Sequence, residues 1–325
     1  MTLPKYAYFQ GKFVPYSEAK VSVLTHGLNY GTAVFGGLRA YWNAAEDELF
    51  IFRPHDHFRR FLGSTRILFM ALEHSPESLA QTTAELLRRE NYRCDVYIRP
   101  LAFKSDEIVG VKLHGLHDEL SIVSIPFDRY IANDTNAHAT ISSWRRVDDN
   151  MIPARGKISG AYANSALIKT DAAHAGFDEA LVLTQEGHIS EGSAMNVFIV
   201  KANVVITPPI TDNILEGITR RTVIELANQE LGLPVVERPI DRTEVYLCDE
   251  LFMTGTAAQV TVVTQVDYRP VGSGTMGPVA ARLRELYGQA VRGQLPRYRH
   301  WNMPVYGSSQ SKLEEPIAAR VASAK

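Results

Sequence analysis

The chain has 325 residues and a formal net charge of −2; 45% of its residues are hydrophobic and 22% are charged, which is the composition of an ordinary globular protein. The absence of a basic excess argues against nucleic-acid binding, and no apolar run is long enough for a transmembrane helix. The two cysteines, Cys94 and Cys248, favour a reducing compartment, and the N-terminus lacks an apolar signal core. We therefore expect a cytoplasmic protein with neither a nucleic-acid nor a membrane partner.

Residues 1–125 combine strand and helix signals and predict a small α/β domain. Tyr6–Phe9 and Lys12–Pro15 flank the turn signal Gln10-Gly11 and predict a hairpin. A helix is expected to begin at Pro54, and another after the N-cap residue Ser75. Further strands are predicted at Gly31–Tyr41, Leu49–Phe52, Asp95–Phe103 and Glu119–Ile125.

A polar stretch at residues 126–138 predicts an interdomain linker, followed by a larger domain at residues 139–304 and a flexible tail at residues 305–325. Strands and helices alternate without a regular βαβ period, so the expected fold class is α+β rather than a doubly wound sheet. In the larger domain, strands are predicted at Ala139–Ser143, Ala180–Leu183, Val197–Val200 and Val204–Thr207, and helices at Ile218–Leu231 and Val279–Val291.

Lys157 lies in a loop of small residues just ahead of a helix-like run. A lysine becomes a nucleophile when its amine is partly neutral, which requires a desolvated or cationic setting. Small neighbours would let a flat ligand approach the backbone, and the amine could form a Schiff base with an aldehyde cofactor. The alternative is a solvated loop lysine, which is the commoner case for a lysine considered alone.

Three further segments carry candidate chemistry. Glu191 lies between small residues with a strand expected on each side; if buried, its carboxylate needs a cationic partner such as a pyridinium nitrogen, whereas on the surface it would be an ordinary turn glutamate. The segment 215–220 leads into a helix, where free N–H groups and a hydroxyl could hold a phosphate. Thr254–Ala258, predicted as a strand-to-helix turn, offers similar donors.

Two other patterns are interpreted as structural. Gly272–Gly277 matches the dinucleotide fingerprint, but Pro278 follows it and no βαβ unit is present, so it predicts a turn before the last helix. His55 and His57 flank Asp56 at a helix start, where residues two apart diverge, so no metal site is predicted.

Taken together, these motifs resemble the fold type IV pyridoxal-phosphate transaminases, and in particular the branched-chain amino acid aminotransferase family. The resemblance extends from about Tyr8 to about Leu286, with the motifs in order and at similar spacing. Besides the segments above, it rests on His26–Tyr41, Phe58–Phe61, Tyr97–Pro100 and Ser142–Trp144.

The resemblance implies a pyridoxal 5′-phosphate cofactor and a role for each matching residue. Lys157 would be the Schiff-base lysine and proton carrier, Glu191 would pair with the pyridine nitrogen, and Tyr162 would bind the ring hydroxyl. Leu215 would pack on the ring, and the phosphate would be held by Arg60, Gly217, Ile218, Thr219 and Thr256. The implied substrate pocket contains Phe35, Gly37, Tyr97, Tyr130, Thr256 and Ala257, with Tyr30 and Val111 contributed by the neighbouring subunit of a homodimer or a higher oligomer of dimers.

Two arginines bear on the substrate. Arg99, with Tyr30, is expected to bind the γ-carboxylate of glutamate, because guanidinium groups bind carboxylates bidentately. Alternation along the strand places Arg39 on the same face as Phe35 and Gly37, at the edge of the pocket. A surface or structural ion pair is the alternative for either arginine.

The chain departs from the family pattern at Gly36, where an acid is usual. Alternation turns this position away from the ligand face, but two adjacent glycines loosen the strand and could widen the substrate range. The favoured prediction is transamination from L-leucine, L-isoleucine or L-valine to 2-oxoglutarate by a ping-pong mechanism. A D-amino acid or (R)-amine transaminase of the same fold is the alternative, and a non-catalytic pyridoxal-phosphate-binding protein is the alternative from another class.

Overall fold

The computed structural model describes residues 2–128, 131 and 133–307, whose backbone forms two β-sheets and the helices that pack on them. The first half contains β1 (Tyr6–Phe9), β2 (Lys12–Pro15), α1 (His26–Tyr30), β3 (Ala33–Phe35), β4 (Leu38–Asn43), β5 (Glu48–Phe52), α2 (Pro54–Ile67), α3 (Pro76–Glu90), β6 (Val96–Lys104) and β7 (Asp118–Pro126). The second half contains β8 (Ala137–Arg145), α4 (Tyr162–His174), β9 (Glu179–Leu183), β10 (Ile189–Gly192), β11 (Asn196–Lys201), β12 (Val204–Thr207), α5 (Ile218–Glu230), β13 (Val235–Glu237), β14 (Glu250–Gly255), β15 (Gln259–Val266), β16 (Arg269–Pro270), α6 (Pro278–Val291) and β17 (Asn302–Pro304).

The first sheet is antiparallel, with strand order β17-β5-β4-β6-β7-β1-β2 and β3 also paired with β6. The predicted hairpin is present, since Phe9 pairs with Lys12 around Gln10-Gly11. Helix α3 begins as predicted, with the Ser75 side chain accepting a hydrogen bond from the Ser78 amide. Phe58 of α2 and Leu87 of α3 are buried in one apolar cluster with the sheet.

The single strand predicted at Gly31–Tyr41 is instead divided into β3 and β4. Both parts keep one register against β6, because Phe35 pairs with Leu101 and Leu38 with Ile98. The interruption falls opposite Pro100, which has no N–H to donate to the ladder. A side chain at Gly36 would also meet the Pro100 ring, with its Cβ 2.5 Å from Cγ. The lack of a side chain at Gly36 therefore leaves room for the Pro100 ring.

The second sheet mixes parallel and antiparallel pairs, with strand order β10-β9-β8-β15-β14-β11-β12-β13. Helices α5 and α6 pack against it through an apolar cluster that also contains Tyr41 and Phe52 of the first sheet. The two halves thus share buried apolar contacts. This arrangement confirms the α+β class.

Three details of the second half differ from the sequence prediction. Thr254 and Gly255 are the last residues of β14, and the turn at residues 256–258 leads into the strand β15 rather than into a helix. Strand β15 lies outside the predicted elements, although its repeated valines and threonines are typical of a strand. Glu191 lies within β10 itself rather than in a turn between strands.

The end of the described chain returns to the first sheet. Strand β17 pairs with β5, and the Val305 amide donates to the Leu49 carbonyl oxygen and to Glu48 Oε1. The chain is therefore anchored past residue 304, where the predicted tail was placed, and residues 308–325 lie outside the described part. The domain division at residues 126–138 stays a prediction. Among the described residues, no helix is both long and apolar enough to cross a membrane.

Candidate active site

A cavity of about 770 Å³ opens between the two sheets and receives side chains from both. Its wall contains most of the residues predicted for the site. These are Phe35, Gly37, Arg60, Tyr97, Arg99, Lys157, Tyr162, Glu191, Leu215, Gly217, Ile218, Thr219, Thr256 and Ala257.

The backbone around Lys157 is fixed to the first sheet. The Phe35 amide donates to the Lys157 carbonyl oxygen at 3.0 Å, and Val34 forms a bridge with Ile158. The Gly160 amide donates to the Gly31 carbonyl oxygen, and a Cβ at Gly31 would lie 2.7 Å from Gly160 Cα. Small residues are needed here because the two backbones touch.

The amine of Lys157 lies among aromatic rings, with Nζ 5.1 Å from the centroid of Phe35 and 5.3 Å from that of Tyr162. Burial, together with the nearby Arg60 charge, lowers the pKa of Lys157 to about 8. A fraction of the amine is therefore neutral near pH 7. Burial, reinforced by the charge of Glu191, raises the pKa of Tyr162 to about 12, so its phenol remains a proton donor.

Both carboxylate oxygens of Glu191 have partners. Oε1 lies 2.8 Å from Arg146 Nη2, while Oε2 accepts from the Leu215 amide at 3.2 Å and from Asn196 Nδ2 at 3.4 Å. Burial raises the pKa of Glu191, and Arg146 opposes that shift. The carboxylate that the sequence suggested would need a cation is therefore already ion-paired inside the protein.

The start of α5 forms one end of the cavity. Gly217 is its N-cap and provides no side-chain cap, and a Cβ at Gly217 would overlap Asn196 Oδ1. Arg60 reaches this helix start, since its Nη1 donates to the Glu216 carbonyl oxygen at 2.9 Å. Thr254 Oγ1 is buried in the wall with no hydrogen-bond partner in the described chain. This end offers donors to an anion.

The opposite wall is aromatic and carries one cation. Arg99 Nη2 donates to Tyr97 Oη at 3.0 Å, and the guanidinium lies 4.5 Å from the Phe35 centroid. Within the described ranges, Arg99 makes no ion pair with a carboxylate. A side chain at Gly37 would overlap the phenol oxygen of Tyr97. Apolar residues complete this wall: Leu101, Ile125 and Phe127.

Some predicted substrate residues lie outside the wall. Arg39 is 1% exposed and donates to the carbonyl oxygens of Phe127 and Asp128, so it supports the wall from behind. Tyr30 and Val111 are exposed and do not line the cavity of their own chain. Tyr130 lies outside the described residues.

Arg146 and Asn196 also line the cavity, although neither was given a role from the sequence. Arg146 follows a predicted strand as half of an arginine pair, and Asn196 ends the motif that contains Glu191. These neighbouring motifs were the signal in the sequence that could have pointed to the two residues. Their contacts with Glu191, however, depend on the order of the strands in the sheet. In the described part of the chain, no group of three or more His, Cys, Asp or Glu side chains could hold a metal ion.

The fold and the site together define a class IV amino-transferase: the sequence model of that family matches residues 33–266, and the chain belongs to it. Within this class, the chain is 48% identical over 301 residues to the probable branched-chain-amino-acid aminotransferase of Aquifex aeolicus, covering 93% of this chain and 97% of that protein. The resemblance drawn from the sequence motifs is therefore confirmed.

Solved structures agree with this assignment. The branched-chain amino acid aminotransferase of Thermobaculum terrenum in its PLP form has a TM-score of 0.89 and 41% identity, covering 94% of this chain and 99% of that one. The branched-chain aminotransferase of Thermoproteus uzoniensis with norvaline has a TM-score of 0.89 and 39% identity, covering 93% of this chain and 100% of that one.

Proposed function

We propose that the protein is a pyridoxal 5′-phosphate-dependent transaminase that moves the amino group of L-leucine, L-isoleucine or L-valine to 2-oxoglutarate. The observation that carries the proposal is the position of Lys157, whose pKa is lowered to about 8, in a cavity between an ion-paired acid and an arginine without a carboxylate partner in the described chain.

The residues present fit the cofactor. Lys157 supplies a partly neutral amine for an aldehyde, and the Glu191 carboxylate matches a protonated pyridine nitrogen. At the start of α5, the amides of Ile218 and Thr219 and the guanidinium of Arg60 suit a phosphate. Tyr162, Leu215, Gly217 and Thr256 also line the cavity and would complete the contacts to the ring and the phosphate.

Bound pyridoxal phosphate would supply an electron-withdrawing ring that stabilises negative charge at the substrate Cα. The neutral Lys157 Nζ would take the proton from that Cα as a general base and return it as a general acid. Tyr162 keeps its proton and would donate it in a hydrogen bond to the ring hydroxyl. The aromatic rings of Phe35 and Tyr162 beside Lys157 would limit access of water to the reacting atoms.

The substrate wall suits two side chains of different character. Leu101, Ile125 and Phe127 provide apolar surface for a branched aliphatic group. Arg99 provides a cation for the distal carboxylate of glutamate or 2-oxoglutarate, to which guanidinium binds bidentately. Phe35, Gly37, Tyr97 and Ala257 shape the space between them, and Arg39 holds the Phe127 carbonyl behind it. Alternating use of one pocket by two substrates is compatible with a ping-pong mechanism.

We further infer a homodimer, or a larger oligomer of dimers, in which Tyr30 and Val111 reach the partner's cavity. Both are exposed on their own chain, and the Gly110 amide donates to Tyr30 Oη, so they form one surface. Val21, Val23, Leu24, Leu28 and Val109 are exposed apolar residues of the same two segments. A cytoplasmic location is consistent with the free thiols of Cys94 and Cys248.

The test is a comparison of amino donors with 2-oxoglutarate as the acceptor, following glutamate formation. L-Leucine should react at least about tenfold faster than D-alanine and (R)-1-phenylethylamine, because the pocket is proposed for L-branched substrates. A higher rate with D-alanine or the (R)-amine would keep the fold and reassign the substrate. No glutamate from any donor, with pyridoxal phosphate added, would exclude the transaminase and favour a non-catalytic binding protein.

A further inference from the structure

An ion pair in the cavity wall joins two residues from different parts of the second sheet. Arg146 directly follows β8 and Glu191 lies on β10, on either side of β9. Nη2 of Arg146 lies 2.8 Å from Oε1 of Glu191, and both side chains are mostly buried. We propose that Arg146 is a positioning residue that keeps the Glu191 carboxylate ionised and oriented toward the pyridine nitrogen of the cofactor. The inference rests on the proposed function.

Arg146 is held firmly by the backbone. Its amide donates to the Leu183 carbonyl oxygen at 2.8 Å, and its Nε donates to the Asn213 carbonyl oxygen at 3.0 Å. Asn213 belongs to the segment that leads to Leu215, whose amide donates to the other oxygen of Glu191. Arg146 thus links the Glu191 carboxylate to the segment from Asn213 to Leu215.

The groups facing Glu191 leave Arg146 as its permanent cation. The neighbouring groups from β11 and from the Leu215 segment are neutral donors, Asn196 Nδ2 and the Leu215 amide. The other cation acting on Glu191 in the described chain is Lys157, whose amine is consumed when it reacts with the aldehyde. Only Arg146, among the described cations, therefore provides a charge that persists throughout the reaction.

The consequence follows from the cost of burying a charge. A buried carboxylate without a cation takes up a proton, and a nearby cation lowers a carboxyl pKa by about one to three units. If Glu191 were protonated, it would no longer stabilise a proton on the pyridine nitrogen. Burial already raises the pKa of Glu191, so the protein depends on Arg146 to offset it.

The experiment compares Arg146→Gln and Arg146→Lys with Arg145→Gln as the matched control. Arg145 is the adjacent arginine, is exposed, and makes no contact with Glu191. The Glu191 pKa is measured in the cofactor-free protein by the ¹³Cδ shift of labelled glutamate, with the signal assigned by its loss in Glu191→Gln. We expect Arg146→Gln to raise that pKa by about one to two units. Arg146→Lys, which keeps a cation, should leave the pKa near its native value.

A second readout is the affinity for pyridoxal phosphate. Titration of the cofactor-free protein should show about tenfold weaker binding by Arg146→Gln at pH 7 and near-normal binding by Arg145→Gln. An unchanged Glu191 pKa in Arg146→Gln, or an equal shift in Arg145→Gln, would overturn the inference. If Arg146→Gln does not fold, Arg146→Lys must still keep the pKa near the native value. Failure of the proposed function is distinguishable, because it would be seen in the native protein as a lack of transamination.

Discussion

The two sides of the cavity differ in how their charged groups are satisfied. On the cofactor side, Glu191 has a partner for each oxygen, from Arg146, Asn196 and the Leu215 amide. On the substrate side, Arg99 contacts aromatic rings and a phenol but no described carboxylate. Under the proposed function, the first side would hold one permanent ligand. The second would keep its cation available to substrates that alternate between apolar and acidic side chains.

Removing the amine between the two sides should have the largest effect. Lys157→Ala is expected to lower the rate of glutamate formation from L-leucine by about 10²- to 10⁴-fold, because the chain then lacks the group that transfers the Cα proton. Lys169, the other lysine of the described wall, is ion-paired with Glu179 and cannot replace it. Lys12→Ala, at an exposed position of β2, is the control and should leave the rate of glutamate formation unchanged. A residual rate within about tenfold of the native one would show that the proton carrier is another residue.

On the cofactor side, Arg60→Ala should weaken pyridoxal phosphate binding by about 10 to 100-fold. The reason is the loss of a charge-assisted hydrogen bond to the phosphate, beside the start of α5. Fluorescence titration of the cofactor-free protein measures this affinity. The neighbour Arg59, 66% exposed and paired with Asp56, is the matched control. Equal weakening by Arg59→Ala would argue that the general positive charge of α2 matters, rather than the contact.

On the substrate side, Arg99→Gln should raise the KM for 2-oxoglutarate by about 10 to 100-fold and change that for L-leucine only severalfold. The difference arises because only the acidic substrate needs the guanidinium. Steady-state kinetics with each substrate varied in turn give both values, and L-leucine is the internal control. If both KM values rose equally, Arg99 would be supporting the wall rather than binding a carboxylate.

The pH dependence of cofactor attachment tests whether the pKa of Lys157 is lowered. Burial and Arg60 favour the neutral amine, so the pKa falls from its ordinary value of 10.5 to about 8. Below pH 8, the rate at which pyridoxal phosphate attaches should increase about tenfold for each unit by which the pH is raised. Above pH 8, the rate should level off. Stopped-flow absorbance measures this rate. A midpoint near the ordinary value of 10.5 would contradict the desolvated setting.

The cofactor side could be predicted closely because its motifs are local. The start of α5 needs only the residues that form it, and Lys157 is marked by its small neighbours. Arg146 could not be predicted, since its contact with Glu191 depends on β8 and β10 lying on either side of β9. Sequence spacing holds no information about that order.

The substrate side could be predicted less completely, because it depends on how the strands pair and on how deeply each side chain is buried. Alternation correctly places Phe35 and Gly37 at the cavity, but it cannot show that Arg39 is covered by the segment after β7. The division of the strand at Gly36 follows from Pro100 on the paired strand β6. The contributions of Tyr30 and Val111 depend on a second chain and stay predictions.

The most direct test is the absorption of the protein loaded with pyridoxal phosphate, followed through each half-reaction. The visible band should bleach with L-leucine and return with 2-oxoglutarate. In Arg99→Gln it should bleach at a near-native rate but return about 10 to 100-fold more slowly at subsaturating 2-oxoglutarate. Equal slowing of both half-reactions in Arg99→Gln, or no bleaching of the native protein by L-leucine, would contradict a cavity with one side for the cofactor and another for alternating substrates.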